Sequence, residues 1–293
     1  MNVLLLCAGL GTRLRPLTER IPKALVPVAD QTLLARALDG VSALRGARIY
    51  ANGHHLAEQI ERFAEEDGRI VRVMGETKIL GTAGPLARMA RAVGADDLLV
   101  VNGDLWHTID VVDFVMRAQA SDADIALLGR DDPRVNTLSR ADGRLAGIRG
   151  RFGGFSGRGA LTFTGISWYR ASALSRIPSG LFDIREFWRD EVAAGRAPAL
   201  LDAAPGCQWI DIGTPAGLIE AMEARLAELG VASWSAVPCD GAELLCSAVC
   251  AGAAVEGPCR LQRSMVLPGG TVRAGEDLRG TVVGDGFRWE VDL

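Results

Sequence analysis

Short apolar runs, separated by segments of helical spacing, dominate the first part of the chain. The runs occupy residues 3–6, 49–51, 70–73, 98–101 and 125–128. Between the first two, Leu34, Leu38 and Val41 recur at the spacing of an amphipathic helix. Continuous apolar strands that alternate with helices are typical of a mostly parallel sheet covered on both faces. The pattern therefore predicts an α/β fold with a Rossmann-like, mostly parallel mixed sheet and helices on both faces.

Further elements are expected after this alternating region. Residues 143–159 are rich in glycine and arginine and are expected to form a loop or hairpin before a strand at 160–169. A helix is expected over about 183–194. A second one is expected after residue 215, where Leu218, Ile219, Met222, Leu226 and Leu229 form one apolar stripe. Gly230 is placed to end that second helix. We predict that the helix closes a domain of residues 1–229.

The spacing of apolar residues changes after Gly230. Two triads have members six residues apart, namely Val249, Val255 and Leu261, then Val266, Val272 and Leu278. A six-residue period is typical of a β-helix of short strands, and two triads correspond to about two coils. Residues 230–293 are therefore predicted to form a short hexapeptide-repeat tail, like a left-handed β-helix; an irregular β-hairpin tail is the alternative. Because its end strands are exposed, the tail is expected to pack on the large domain or to form a homo-oligomer.

Composition narrows the classes of function. The 293 residues, 48% of them hydrophobic, can bury a large core in one or two domains. The net charge of −4 and the absence of a long basic run argue against a nucleic-acid binder. Six cysteines without a CxxC pair and three histidines exclude the usual zinc spacings. No segment reaches the length of a membrane span or resembles a signal peptide, so we expect a cytoplasmic protein without a membrane partner.

The first apolar run ends in a glycine turn that is followed by basic residues. The turn, GLGTR at 9–13, lacks the Gly-Lys-Ser/Thr of a P-loop and the third glycine of the dinucleotide fingerprint. Its backbone N–H groups can approach an anion closely, and Arg13, Arg15 and Lys23 supply positive charge nearby. This combination favours a polyphosphate ligand, although a tight turn with surface arginines is the alternative when the motif is taken alone.

Four motifs follow one another in order along the chain. They are GLGTRLRPLT with PK at 9–23, LGTAG at 80–84, VNGDLW at 101–106 and WIDIGTP at 209–215. Together they resemble the sugar-1-phosphate nucleotidylyltransferases, over about residues 1–229. The resemblance implies an enzyme in which a sugar 1-phosphate attacks the α-phosphorus of an NTP in line and pyrophosphate leaves. Since the nucleophile is already an anion, positioning and charge stabilisation are the task, and no general base is needed.

The resemblance also implies a set of site residues. Arg13 is expected to hold the leaving pyrophosphate, Lys23 to reach the α-phosphate, and Asp104 and Asp211 to bind Mg²⁺; these four are the catalytic candidates. Thr164 and Gly165 are expected near the sugar. The residues expected to bind the nucleotide are Ala8, Gly9, Leu10, Gly11, Thr12, Arg13, Lys23, Gly81, Thr82, Asn102, Gly103 and Asp104.

One departure from the family pattern concerns the grip on the sugar phosphate. Many relatives carry a Glu-Lys-Pro segment whose lysine holds that phosphate, and residues 147–159 contain no lysine. Arg149, Arg151 or Arg158 is a candidate replacement, with a solvated loop arginine as the alternative for each. The three histidines, His54, His55 and His107, are interpreted as structural or exposed.

The motifs leave the substrates open. VNGDLW, GALTFTGIS and the missing lysine resemble N-acetylmuramate 1-phosphate uridylyltransferases, whereas LGTAG and residues 262–286 resemble mannose-1-phosphate guanylyltransferases. A mannose-, heptose- or N-acetylmuramate-type sugar 1-phosphate with GTP or UTP is expected. The alternative from another class is a non-catalytic regulatory or scaffolding relative that uses the tail as its interaction surface. Retention of both carboxylates and both cations of the catalytic set argues against it.

Overall fold

The computed structural model describes residues 1–94, 96–155 and 159–292. The chain divides into two compact units. The sheet unit comprises Met1–Ala8, Ala37–Gly103 and His107–Trp209, and the coil unit comprises Gly9–Arg36, Asp104–Trp106 and Ile210–Leu293. Among the described residues, no helix combines the length and the apolar character needed to cross a membrane.

The helices and strands follow one another along the chain in the alternation that the apolar pattern predicts. The α-helices are α1 Leu33–Val41, α2 Ala57–Asp67, α3 Gly84–Val93, α4 Val111–Ala120, α5 Ala171–Leu174, α6 Ile184–Ala193 and α7 Pro215–Leu229. Short 3-10 helices span Thr12–Leu14, Leu17–Glu19 and Lys23–Leu25. The strands are β1 Asn2–Leu6, β2 Pro27–Val28, β3 Gln31–Thr32, β4 Arg48–Gly53, β5 Ile70–Gly75, β6 Leu98–Asn102, β7 Leu105–His107, β8 Ile125–Arg130, β9 Leu138–Ala141, β10 Arg144–Ile148, β11 Thr162–Tyr169, β12 Ala199–Asp202, β13 Trp209–Asp211, β14 Trp234–Ser235, β15 Glu243–Leu245, β16 Ala248–Val249, β17 Ala254–Val255, β18 Arg260–Gln262, β19 Met265–Val266, β20 Thr271–Val272, β21 Asp277–Arg279, β22 Thr281–Gly284 and β23 Phe287–Glu290.

The sheet unit is built on one mixed sheet in the order β5-β4-β1-β6-β11-β8-β12-β10-β9. All of these strands run in the same direction except β10 and β11. The successive residues Val3, Leu4 and Leu5 are all fully buried. Since neighbouring side chains of a strand point to opposite faces, both faces of the sheet are covered. The predicted α/β class and mostly parallel mixed sheet are confirmed.

Short parallel strands in three stacks form the C-terminal part of the coil unit. The stacks are β14-β16-β19-β22, closed by antiparallel β23, then β15-β18-β21 and β17-β20. The two sequence triads lie in register, with Val249 opposite Val266, Val255 opposite Val272 and Leu261 opposite Leu278. The six-residue spacing thus moves the chain from one stack to the next, as in a coil. The left-handed sense and the assignment to hexapeptide-repeat proteins stay predictions.

The division into units differs from the predicted boundary at 229/230. Helix α7 belongs to the coil unit, together with the segment 9–36 that carries the glycine turn. The reason is a shared apolar core, in which Leu14 and Leu17 join Met222 of α7 and Met265 and Val282 of the stacked strands. The strands after Gly230 therefore share one apolar core with the segment that carries the glycine turn.

Candidate active site

Four charged side chains from three distant segments meet in the coil unit. The Lys23 ammonium lies 2.8 Å from Asp104 Oδ2 and 3.7 Å from Asp211 Oδ1. The guanidinium of Arg13 donates from Nη2 to Asp211 Oδ2 over 3.1 Å. Lys23 is buried, whereas the Arg13 side chain is 62% exposed. We call Arg13, Lys23, Asp104 and Asp211 the charge cluster; the sequence named all four as catalytic candidates.

The glycine turn is held in one conformation by Thr18. Gly11 adopts a left-handed φ of 60°, and a Cβ on it would lie 2.7 Å from Thr18 Cγ2. The buried Thr18 hydroxyl donates to the Gly11 carbonyl over 2.9 Å. A glycine is therefore required at 11 for two reasons, backbone conformation and space. Sequence reasoning missed Thr18, although its place in the RPLT part of the motif was the signal.

Strand pairing and two further glycines position the second carboxylate. Strand β7, which begins after Asp104, pairs with β13, which ends at Asp211. At Gly213 a Cβ would lie 2.2 Å from Arg13 Nη2, so that a larger residue there would displace the guanidinium from this position. At Gly217 a Cβ would lie 2.4 Å from the Asp211 carbonyl. Both glycines lie in the stretch WIDIGTPAG at 209–217, but neither was predicted from the sequence as a site residue.

The charge cluster opens into a small polar cavity of about 190 Å³. Gly11, Thr12, Arg13, Lys23 and Asp104 line it. Two cations face two carboxylates, so the cluster is balanced in charge before a ligand enters.

Hard carboxylate oxygens suit Mg²⁺, which commonly uses one or two of them and completes its shell with phosphate oxygens and water. The described residues include no group of three or more His, Cys, Asp or Glu arranged for a metal.

The sheet unit has a larger cavity, of about 370 Å³. Two predicted nucleotide-site residues, Thr82 and Asn102, lie on its wall. Most of the remaining wall is apolar or aromatic and includes Phe163, Tyr169 and Trp188. Sugar rings carry both polar groups and apolar C–H faces, and a cavity of this size and lining can accommodate one.

Three arginines line the same cavity, and we call Arg149, Arg151 and Arg185 the arginine set. Arg151 Nη1 lies 2.9 Å from Asp183 Oδ2, and Arg185 donates to both Asp183 oxygens, from Nε and from Nη2, over 2.8 Å each. The Arg149 guanidinium lies 4.0 Å above the centre of the Phe155 ring. Two of the three predicted candidates thus meet at one wall. The third, Arg158, lies outside the described residues, and sequence reasoning missed Arg185.

Asp183 fixes two members of the arginine set. Burial raises the pKa of the Asp183 carboxyl, but hydrogen bonds from Arg185 and the positive charge of Arg151 outweigh burial, and the pKa lies below its ordinary value. The carboxylate also accepts from the Arg185 backbone N–H over 3.0 Å and so caps α6. One ionised side chain therefore orders the helix start and both guanidiniums.

A buried chain of hydrogen bonds in the sheet unit connects two predicted nucleotide segments. Asn52 accepts from the backbone N–H of Cys7 over 2.7 Å and donates to Glu76 Oε1 over 2.7 Å. Glu76 Oε2 accepts from the backbone N–H of Leu80 over 3.0 Å. Cys7 precedes Ala8, and Leu80 precedes Gly81. Asn52 and Glu76 therefore position both segments, although the sequence analysis named neither.

Some predicted contact groups are already engaged within the sheet unit. The backbone N–H of Thr82 donates to the Phe182 carbonyl over 2.9 Å, and Gly81 packs closely on the same carbonyl. The Thr164 hydroxyl is buried and donates to the Leu128 carbonyl over 2.8 Å. Gly165 has a φ of 83°, within a register shift of β11. Phe163 and Ser167 of that strand line the larger cavity, whereas Thr164 is buried beside them.

Two predicted glycines, Gly9 and Gly103, differ in their surroundings, and the three histidines lie away from both cavities. Gly103 donates to the Leu6 carbonyl over 3.0 Å, and a Cβ on it would meet Cys7 Sγ at 2.7 Å. At Gly9, in the coil unit, a Cβ would meet nothing within 4 Å, so space does not require glycine there. Of the histidines, His107 is buried and accepts from the Ile109 N–H at Nδ1, whereas His54 and His55 are half-buried. None of the three lines either cavity described above.

Comparisons with known proteins give the family. The Nucleotidyl transferase family model matches residues 2–136. N-acetylmuramate alpha-1-phosphate uridylyltransferase of Caulobacter vibrioides is 32% identical over 243 residues, which are 77% of this chain and 96% of that protein. The Arabidopsis thaliana protein named "Probable mannose-1-phosphate guanylyltransferase 2" is 28% identical over 78% of this chain and 66% of its own length.

A solved structure supports the fold. HddC from Yersinia pseudotuberculosis, complexed with GMP-PN, superposes with a TM-score of 0.60 at 22% identity and covers 76% of this chain and 99% of its own. At that identity the likeness concerns the fold alone. The family resemblance read from the four motifs is confirmed by the sequence relatives, since both predicted kinds of enzyme occur among them. The chain belongs to the nucleotidyl transferase family of enzymes.

Proposed function

We propose that the protein transfers a nucleotidyl group from an NTP to a sugar 1-phosphate and releases pyrophosphate. The observation that carries the proposal is the charge cluster, in which one buried lysine contacts two carboxylates more than eighty residues away along the chain. A structural role explains such a cluster poorly, because ion pairs with exposed members contribute little to stability. The partly exposed side chains of the charge cluster and the small polar cavity beside it suit phosphate groups.

The chemistry requires no base and no covalent intermediate. An oxygen of the sugar phosphate forms a bond to the α-phosphorus, the bond from that phosphorus to the bridging oxygen breaks, and pyrophosphate leaves with the electron pair. Lys23 is placed to bind the α-phosphate, and Arg13, exposed at the cavity wall, to bind the leaving pyrophosphate. Backbone N–H groups of residues 9–13 bind the β- and γ-phosphates. Catalysis then consists of positioning and of stabilising negative charge.

Mg²⁺ is part of the proposal. Asp104 and Asp211 would hold the ion, which would supply positive charge to neutralise the phosphates. Lys23 contacts both carboxylates and orients them towards one another.

The larger cavity of the sheet unit is proposed as the place of the glycosyl group. Thr82 and Asn102, their sequence neighbours Gly81 and Gly103, and Ala8 are proposed for the nucleoside. Thr164 and Gly165 are proposed as supports of the strand under the sugar. The names of the relatives favour an N-acetylmuramate-type or mannose-type sugar with UTP or GTP, and a heptose phosphate fits the same chemistry. A cytoplasmic location and assembly into a homo-oligomer through the stacked strands are proposed as well.

The test is a grid of five NTPs against several sugar 1-phosphates with Mg²⁺, read out as pyrophosphate release. We expect one NTP and one sugar 1-phosphate to give release that stops when either is omitted. Folded protein that releases no pyrophosphate anywhere in the grid would favour a scaffolding role and contradict the proposal. The metal is tested by repeating the grid with Ca²⁺ and with EDTA. The proposal requires an ion at the two carboxylates, so EDTA must abolish pyrophosphate release.

A further inference from the structure

The wall of the larger cavity carries an excess of positive charge. All three members of the arginine set line it, and no aspartate or glutamate does so among the described residues. Asp183, which lies behind the wall and whose side chain is only 15% exposed, neutralises one of the three charges. The cavity therefore remains cationic, and the rest of its wall is largely apolar.

The guanidiniums are held in place before any ligand enters. Asp183 contacts Arg151 and Arg185 at 2.9 and 2.8 Å, while Arg149 rests on the Phe155 ring at 4.0 Å. The side chains of Arg151 and Arg185 are nevertheless 41% and 45% exposed, and the contacts with Asp183 use only some of their N–H groups. Arginines that are fixed in advance bind phosphate or carboxylate with a smaller loss of side-chain entropy.

We propose that the arginine set binds an anionic group of the acceptor sugar 1-phosphate and takes the place of the lysine that this chain lacks. The inference rests on the proposed function for the identity of the substrate, but not for the existence of an anion site. The anionic group is either the phosphate that all such substrates carry or a carboxylate on the sugar. Both present oxygen pairs that match the arginine fork, and the experiment below separates them.

The chain offers a matched control on one helix. Arg185 and Arg189 both lie on α6, both are exposed, and each pairs with a neighbouring aspartate, over 2.8 and 2.9 Å respectively. Only Arg185 lines the cavity. Arg185→Gln and Arg189→Gln therefore remove the same charge from the same kind of surface. The first change lies at the proposed anion site and the second lies outside it. Arg151→Gln provides an independent second variant.

Binding is measured by calorimetry without turnover, with glucose 1-phosphate and N-acetylmuramate 1-phosphate as probes and the full chain as protein. We expect Arg185→Gln and Arg151→Gln to weaken binding of a sugar 1-phosphate by about tenfold or more, the scale of one lost charge-assisted hydrogen bond. Arg189→Gln should stay within about twofold of wild type by the same measure. In none of the three variants should NTP binding weaken by a factor comparable to that expected for the sugar 1-phosphate.

The two probes separate the two sources of the anion. Equal losses with both sugars identify the phosphate as the bound group, and a loss confined to N-acetylmuramate 1-phosphate identifies the sugar carboxylate. The inference is overturned if the wild type binds neither probe, if Arg185→Gln behaves like Arg189→Gln, or if only NTP binding is lost. A protein that binds a probe through the arginine set but releases no pyrophosphate contradicts the proposed function and supports this inference.

Discussion

The charge cluster of the coil unit and the arginine set of the sheet unit differ in their balance of charge. In the cluster, cations and carboxylates are equal in number and in direct contact. In the cavity of the sheet unit, three guanidiniums line the wall and the single nearby carboxylate stands behind them. Carboxylates that face the ligand suit a metal ion, whereas a wall without them suits an anion alone. The difference matches the two proposals, in which the first region carries out the transfer and the second binds the anionic group of the acceptor.

The largest expected effect comes from breaking the charge cluster at its centre. Lys23→Met removes the cation shared by both carboxylates and should lower kcat by about 10² or more, the scale of one lost preorganised charge. Steady-state rates of pyrophosphate release measure it. Lys78→Met is the control, because Lys78 is exposed in the sheet unit. Equal rates for the two variants would remove Lys23 from the mechanism.

A double-mutant cycle sharpens the claim that the cluster holds one ion. Asp104→Asn and Asp211→Asn should each lower kcat severely, and the double variant should be little worse than the poorer single one, because both disable the same ion. Rates titrated with Mg²⁺ provide the readout. Two penalties that multiply fully would contradict a shared ion. Thermal unfolding of each variant checks that the loss is not one of folding.

A smaller effect is expected from the buried chain behind the nucleotide segments. In Glu76→Gln the amide nitrogen cannot accept from the Leu80 N–H, and one buried hydrogen bond is lost. We expect the KM for the NTP to rise by about tenfold while the KM for the sugar 1-phosphate stays constant, since such a bond is worth about 1–3 kcal/mol. Glu191→Gln is the control, because Glu191 is buried in the same unit and bonds to Arg176 and Arg196. A rise in the KM for the NTP in both variants would assign Glu76 a merely structural role.

The smallest effect concerns the support of the arginine set and depends on pH. The pKa of Asp183 is lowered in the folded chain, so its contribution to the free energy of unfolding is present above the usual value near 3.8 and is lost as the pH falls through the folded pKa. The difference in that free energy between wild type and Asp183→Asn should therefore shrink on acidification. Urea unfolding at several pH values measures it. Asp190→Asn, at an exposed position of the same helix, is the matched control. A trend of equal size there would contradict the assignment.

The parts of the fold that follow from local patterns could be predicted from the sequence. The apolar runs placed strands β1, β4, β5, β6 and β8. In β1, β6 and β8 nearly every position is buried, and a strand that is buried on both faces is read from the sequence as a continuous apolar run. The six-residue spacing predicted a coil of short strands, in which Val249 lies opposite Val266. The grouping of residues 9–36 with the stacked strands in one unit could not be predicted, because the core shared by Leu14, Leu17 and Met265 joins residues that are some 250 positions apart.

The candidate site shows the same division. Arg13 and Asp211 could be named because the motifs that contain them, GLGTR and WIDIGTP, resemble those of the sugar-1-phosphate nucleotidylyltransferases. Arg185 could not be named, because it lies on a helix with an ordinary pattern and reaches the cavity only through tertiary packing. The roles of Asn52 and Glu76 were hidden for another reason. Polar residues at strand ends are common, and only the hydrogen bonds from Cys7 to Leu80 reveal what they connect.

The central claim is that the charge cluster carries out a single transfer at the α-phosphorus, and the fate of the label from an NTP tests it most directly. In a single turnover with wild type and with Lys23→Met, the α-phosphorus is labelled in one sample and the γ-phosphorus in another. The account predicts that the wild type passes the α-label to the nucleotide sugar and the γ-label to pyrophosphate in equal amounts, with no labelled protein. It predicts a rate about 10² lower in the variant. Label on the protein, release of orthophosphate, or an unchanged rate in Lys23→Met would contradict it.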